Sequence, residues 1–180
     1  MFDTMVMDSD IVPGAFCSKA LRGNYQRPDS TLTLRAAVKE YMTVNPGLFE
    51  LNPDDNEHAA SYYLRHDYCH VIFGTDTSLL NESITDSWIL FGVNVGMIEY
   101  SIGFFKTDES KEIWRQIGTV RRGLFLFWKS MQLMPMMWKR TRQMKKKWPW
   151  NPPKSYLDRP LNELRAEYGI VPVSIQEQGV

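Results

Sequence analysis

Apolar positions recur at helical spacing along most of the chain, and no segment alternates well enough to demand a strand. Residues 1–30 lack periodicity and contain Pro13, Gly14, Gly23 and Pro28, which reads as an arm or loop. Ser30 or Thr31 can cap a first helix running to about Val44, stopped by Asn45-Pro46-Gly47. A loop over 45–53 ends at Pro53. Asp54 or Asp55 then caps a second helix that carries Glu57 in its first turn and reaches about Phe73. Its apolar Ala59, Tyr62, Tyr63 and Phe73 share helical spacing with His66, Cys69 and His70, so the two imidazoles lie on the inward face. Gly74 stands where a glycine closes a helix. Thr77 or Asp76 caps a third helix through about Phe105. A fourth starts near Asp108 and runs to about Leu133, after which Pro135 breaks or kinks the pattern. A basic helix from Met136 to Lys147 follows, then the loop Trp148 to Pro153 and a last short helix from about Pro160 to Tyr168, ended by Gly169. The expected fold is all-α, a single domain over 1–180 of about six helices, with an N-terminal arm at 1–30 and a helical core at 31–170.

Composition fits that reading. Hydrophobic residues are 43% and charged residues 23%, the balance of a globular chain rather than a disordered one. Two cysteines, Cys17 and Cys69, do not make a disulfide framework and fit a reducing cytoplasm. Asp3, Asp8 and Asp10 precede the first basic residue, Lys19, which is the wrong charge for a secretory signal or a mitochondrial transit peptide. The most apolar stretch, Ile84 to Phe105, has a charge-free run only from Ser87 to Ile98, too short to span a bilayer.

Charge adds a feature that the zero net total conceals. Residues 113–154 carry eleven Lys and Arg and no acid, while the segments on either side are net acidic. Within this block, Trp128, Trp138, Trp148 and Trp150 are mixed with methionines and with Lys129, Lys139, Arg140, Arg142, Lys145, Lys146 and Lys147. Tryptophan favours the bilayer interface, and basic side chains attract anionic headgroups. Residues 128–150 therefore suggest a peripheral docking face for an anionic membrane surface; the alternative is a solvated basic helix with its tryptophans in the core. No nucleic-acid-binding module accompanies the patch, so nucleic acid is not the expected partner.

The candidate chemistry lies in the second helix. At about 100° per residue, His66 is at 0°, Asp67 at 100° and His70 at 40°, so all three can point into one quadrant. Imidazole suits zinc and iron, and a carboxylate neutralises charge. Glu82, in the first turns of the next helix after the break at Gly74, can complete a site, and Asp86 one turn on can orient a histidine N–H. Two inward histidines can also be hydrogen-bonded core residues; the His-Asp-x-x-His spacing in a chain with three histidines favours a metal. His58 reads as a surface or capping residue and Cys69 as a small buried hydrophobe. Zinc is the expected ion, with Fe2+ or Mg2+ as alternatives; two imidazoles count against magnesium.

The segment Tyr62 to Gly74, with His66-Asp67-x-x-His70 followed by eleven residues and then Glu82, resembles the coenzyme Q (ubiquinone) biosynthesis protein four family. The aromatic-x-x-Arg lead-in and Gly74 four residues after His70 are part of that likeness, which covers roughly 58–105. A looser likeness covers 156–172, through Pro160 to Ile170. The resemblance implies an α-helical, membrane-associated protein, and the acidic N-terminus, which does not read as a mitochondrial leader, suggests a bacterial-type relative. It implies a divalent metal, zinc in much of the family, at His66, Asp67, His70 and Glu82, and a hydrophobic tunnel for a polyprenyl tail. It also implies action on the ring carboxylate of a prenylated hydroxybenzoate, by decarboxylation and hydroxylation, or a non-catalytic role as lipid carrier or scaffold among other quinone biosynthesis proteins or as a homodimer. Arg65, beside His66, can help place an anionic head. Gly92 and Gly96 form a small-x-x-x-small pair in the third helix, which permits either a tight helix crossing or a groove for a thin chain. A phosphohydrolase of the His-Asp type needs further histidines downstream, and the chain has none after His70.

Overall fold

The computed structural model describes residues 20–45, 57–100 and 120–173. The expected arm before residue 20, the loop at 46–53, the end of the third helix at 101–105 and the start of the fourth at 108–119 lie outside the described residues. Within them the fold is all-α. The helices are α1 (Leu34–Val44), α2 (Glu57–Phe73), α3 (Leu79–Gly92), α4 (Val120–Gln143) and α5 (Leu161–Tyr168), with a further helical turn at 97–100.

α1 starts later than its sequence suggests. Thr33 is its cap, and the Thr33 Oγ1 accepts a hydrogen bond from the Ala36 N–H at 3.2 Å. Ser30 and Thr31 are not free to cap because this stretch runs beside the start of α5. The Asn162 N–H donates to the Ser30 carbonyl at 2.9 Å, the Leu161 N–H donates to that of Leu32 at 2.9 Å, and Thr33 bridges Pro160. Leu34, Ala37, Val38 and Tyr41 form the buried stripe of α1. The segment at 20–30 is more than an arm: Tyr25 is fully buried in the core.

The third helix is shorter than expected. Its pattern continues towards Phe105, yet α3 stops at Gly92 and Val93 turns extended. Strand β1 (Val93–Asn94) pairs in parallel with β2 (Trp148–Pro149), Val93 against Trp148. The β-branched Val93 suits this pairing, and a two-residue ladder leaves too little alternation to read in the sequence. The basic region departs in the opposite sense. Instead of two helices separated by Pro135, α4 runs through it. Proline removes the hydrogen bond to the carbonyl one turn back, on Met131; both residues are exposed, so water can take up that carbonyl. The helix ends at Gln143, short of Lys147, and the Lys145 N–H turns to the Tyr168 carbonyl at 2.9 Å.

α3 packs mainly against α4. Phe91 meets Trp138 edge-on, with ring centroids 5.4 Å apart. A Cβ on Gly92 would come within 2.9 Å of Met144 Sδ and 3.3 Å of Thr141 Cγ2. Gly92 therefore marks a tight crossing. Gly96 lies beyond β1, exposed, so the two glycines do not share a helix.

The four tryptophans of the basic region divide. Trp148 and Trp150 are buried in the core, whereas Trp128 and Trp138 are 64% and 51% exposed on α4. Among the described residues no helix is long and apolar enough to cross a membrane.

Candidate metal centre

The site is built on the way α2 ends. The helix carries Cys69, Val71, Ile72 and Phe73 fully into the core, which fixes its roll and turns His66 and His70 inward. It closes at Gly74, whose φ of 74° is the left-handed region that glycine enters without penalty. The Gly74 N–H donates to the Val71 carbonyl at 3.3 Å and the Thr75 N–H to the His70 carbonyl at 2.9 Å, the paired bonds of a Schellman closure. That closure seats Thr75 directly beside His70. Space at 74 is tight as well, since a Cβ would lie 3.0 Å from Pro172 Cβ and 3.2 Å from the Gln26 carbonyl oxygen.

The link to α3 is pinned. Ser78 occupies the N-cap position without using its side chain as a cap. The Asp76 carboxylate accepts from the Ser78 N–H at 2.8 Å, and the Asn81 side-chain amide donates to Ser78 Oγ at 2.9 Å. Arg22 reaches in from the N-terminal segment, 3.8 Å from the Asp76 carboxylate and donating to Thr77 Oγ1 at 3.1 Å. With the turn fixed, Glu82 falls in the first turn of α3, where the helix dipole favours a carboxylate.

The result is a cluster of three. One ligand atom each from His66, His70 and Glu82 lies within 4.8 Å of the others, and both histidines are buried. His70 Nε2 is 3.2 Å from Glu82 Oε2. Zinc bonds of about 2.0–2.2 Å place two tetrahedral donors about 3.3–3.5 Å apart, and this pair already has nearly that spacing. Two imidazoles and one carboxylate are also the donor types of a three-ligand zinc site that keeps one position open.

Asp67 stands outside this group, partly buried beside it. Burial pushes its carboxyl up to about 6, against the pull of the neighbouring His70 and His66 rings. Asp86 has a different partner from the one expected: it accepts from the Tyr100 hydroxyl at 2.5 Å, and its nearer oxygen is 3.9 Å from His66 Nε2, beyond hydrogen-bond reach. Burial, followed by the Asp86 charge, raises the Tyr100 phenol well above its usual range, so that it keeps its proton. Arg65 is half-buried on α2. Cys69 is fully buried, and its thiol is pushed up by burial, consistent with a packing role.

The surroundings contain residues that the spacing of the motif gave no reason to single out. Tyr41 stacks on His70 with centroids 5.3 Å apart, and Tyr62 lies nearly parallel to His66 at 6.3 Å. Tyr62, Tyr100 and Trp150 form a mutual aromatic wall at 5.5–5.9 Å. His70 Nδ1 faces Thr75 Oγ1 at 3.1 Å and Thr85 Oγ1 at 3.3 Å, all three residues buried. Thr85 follows Glu82 by three residues and so shares its side of α3, a signal available in the sequence; Tyr41 and Trp150 come from distant segments and carry none.

Compared with protein-family models, curated proteins and solved structures, the chain has no match.

Proposed function

We propose that this chain holds one divalent metal ion, zinc first, at His66, His70 and Glu82, and acts in prenylated quinone biosynthesis on the ring carboxylate of a prenylated hydroxybenzoate. The convergence of those three ligand groups from α2 and α3, both histidines buried, carries the metal part. The motif from Tyr62 to Glu82 and its family resemblance carry the substrate part. A bound cation supplies Lewis acidity towards a carboxylate or phenolate. Around it, Asp67 adds negative charge, Arg65 offers a cation for an anionic head, and Tyr62, Tyr100 and Trp150 form an aromatic cluster beside the histidines.

The test is turnover. Protein purified without chelator is given a prenylated hydroxybenzoate, and carbon dioxide and ring products are measured. Metal-dependent release that disappears in His70→Ala supports the reading. Full activity in a metal-free His70→Ala protein refutes it, and a bound prenyl lipid without turnover marks a carrier or scaffold instead.

A peripheral membrane role belongs to the same proposal. Trp128, Met131, Pro135 and Trp138 share the exposed side of α4, with Lys139 and Arg142 exposed beside them. Cosedimentation with vesicles rich in anionic lipid should be strong for the native protein and weak after Trp128→Ala with Trp138→Ala. Equal binding by both proteins would remove this face from the account.

A further inference from the structure

The two hydroxyls behind His70 form a chain that ends on a backbone carbonyl. Thr75 Oγ1 and Thr85 Oγ1 are 2.5 Å apart, and Thr85 Oγ1 is 2.9 Å from the Asn81 carbonyl oxygen. The alternative acceptor for Thr75, the His70 carbonyl, is at 3.5 Å. Each hydroxyl has one proton, and two oxygens 2.5 Å apart need a proton between them. Through the shorter contact, Thr75 Oγ1 to Nδ1 at 3.1 Å against 3.3 Å for Thr85, the chain has two consistent directions. In one, His70 Nδ1–H donates to Thr75, Thr75 to Thr85 and Thr85 to the Asn81 carbonyl, which leaves the Nε2 lone pair facing Glu82. In the other, Thr85 donates to Thr75 and Thr75 to Nδ1, and the Nε2–H donates to Glu82 at 3.2 Å.

The choice depends on what lies between Nε2 and the carboxylate. A lone pair and a carboxylate oxygen 3.2 Å apart repel unless a cation separates them. Without a cation, the neutral ring is better served by Nε2–H, and with one it must carry its proton on Nδ1. His70, Thr75 and Thr85 are at most 1% exposed, so water is not at hand to rescue an orphaned group.

We propose that Thr75 and Thr85 are positioning residues for His70, a two-hydroxyl chain that reverses direction when a divalent cation binds, so that the imidazole stays fully hydrogen-bonded in both states. The inference rests on the metal-centre reading for its second state alone. Its first state belongs to the metal-free protein and can be tested separately.

The experiment is nitrogen-15 NMR of the histidine rings at alkaline pH, before and after addition of Zn2+ alone, with zinc affinity measured by chelator competition. Metal-free native protein should show His70 protonated at Nε2, with Nδ1 shifted as a hydrogen-bond acceptor. Zinc should move the proton to Nδ1. Thr75→Val with Thr85→Val should return the metal-free Nδ1 to the shift of a free acceptor and weaken zinc binding by about 10–100-fold. Thr85→Ser, which keeps the hydroxyl, should restore native values when compared with Thr85→Val. If the native protein takes up no zinc, the metal-centre reading falls, and the metal-free Nδ1 shifts decide the hydroxyl chain alone. An Nδ1 signal identical in native protein and double variant overturns the proposal, as does a metal-free ring protonated at Nδ1.

Discussion

Glu82 and Asp67 are both acids of the motif, and their surroundings give them different parts. Glu82 Oε2 is in contact with His70 Nε2 from the opposite helix, while Asp67 lies one residue beyond His66 on the same helix and outside the three-ligand group. On the helix Asp67 stands about 60° from His70 and about 100° from His66, at the edge of the sector they share, beside the three-ligand group and outside it. On the proposed metal-centre reading, Asp67 would act on a bound ion through space. Glu82→Gln should lower zinc affinity by more than about 100-fold, and Asp67→Asn by about 10-fold, the range of groups outside the coordination shell. Chelator competition on both variants checks the order; a larger loss for Asp67→Asn would make Asp67 a ligand and displace this geometry.

At the scale of elements, helix ends do most of the positioning. The Schellman closure at Gly74 places Thr75, and the pinned turn through Asp76 and Ser78 places Glu82. Gly92 does the equivalent work for α3 and α4, which approach closely because no side chain separates them. Gly92→Val should force the pair apart and cost about 1–3 kcal/mol of stability by overpacking. Urea unfolding measures this, and an unchanged midpoint would show that the crossing has slack. The sequence made α2, its Gly74 end and α5 with Gly169 legible because glycine and the apolar period mark them locally. It did not disclose that α3 stops at Gly92 or that α4 passes Pro135. Those outcomes depend on Trp148 pairing with Val93 and on the exposed side of α4, which are tertiary facts.

Across the whole molecule, Arg165 connects what the chain keeps far apart. From α5 its buried guanidinium donates to the carbonyls of Ile72 at 2.8 Å and Val71 at 2.9 Å, and to those of Tyr25 at 2.7 Å and Arg27 at 2.6 Å. The first two are carbonyls from the last turn of α2, of which Val71 also accepts from the Gly74 N–H, and a cation there suits the helix dipole. Burial lowers the guanidinium to about 10, still charged at neutral pH. Arg165→Met should cost about 3 kcal/mol, because it leaves the carbonyls of Ile72 and Tyr25 without this donor, while those of Val71 and Arg27 keep the Gly74 and Ser30 N–H groups. Thermal unfolding reads this directly, and a loss below about 1 kcal/mol would mean that water replaces the side chain. Nothing in the local sequence around Arg165 distinguishes it from a solvated helix charge. Its partners lie more than ninety residues away, so only the folded chain reveals its role.

The central claim is that imidazoles from one helix and a carboxylate from the next grip a single divalent ion. Elemental analysis of native protein purified without chelator, beside His70→Ala protein prepared identically, tests it most directly. The account predicts about one zinc or related ion per native chain and almost none in His70→Ala, with the helical circular dichroism of the two proteins nearly superimposable. A native chain that remains metal-free after incubation with excess Zn2+, or a His70→Ala protein that retains the same metal content, would contradict it.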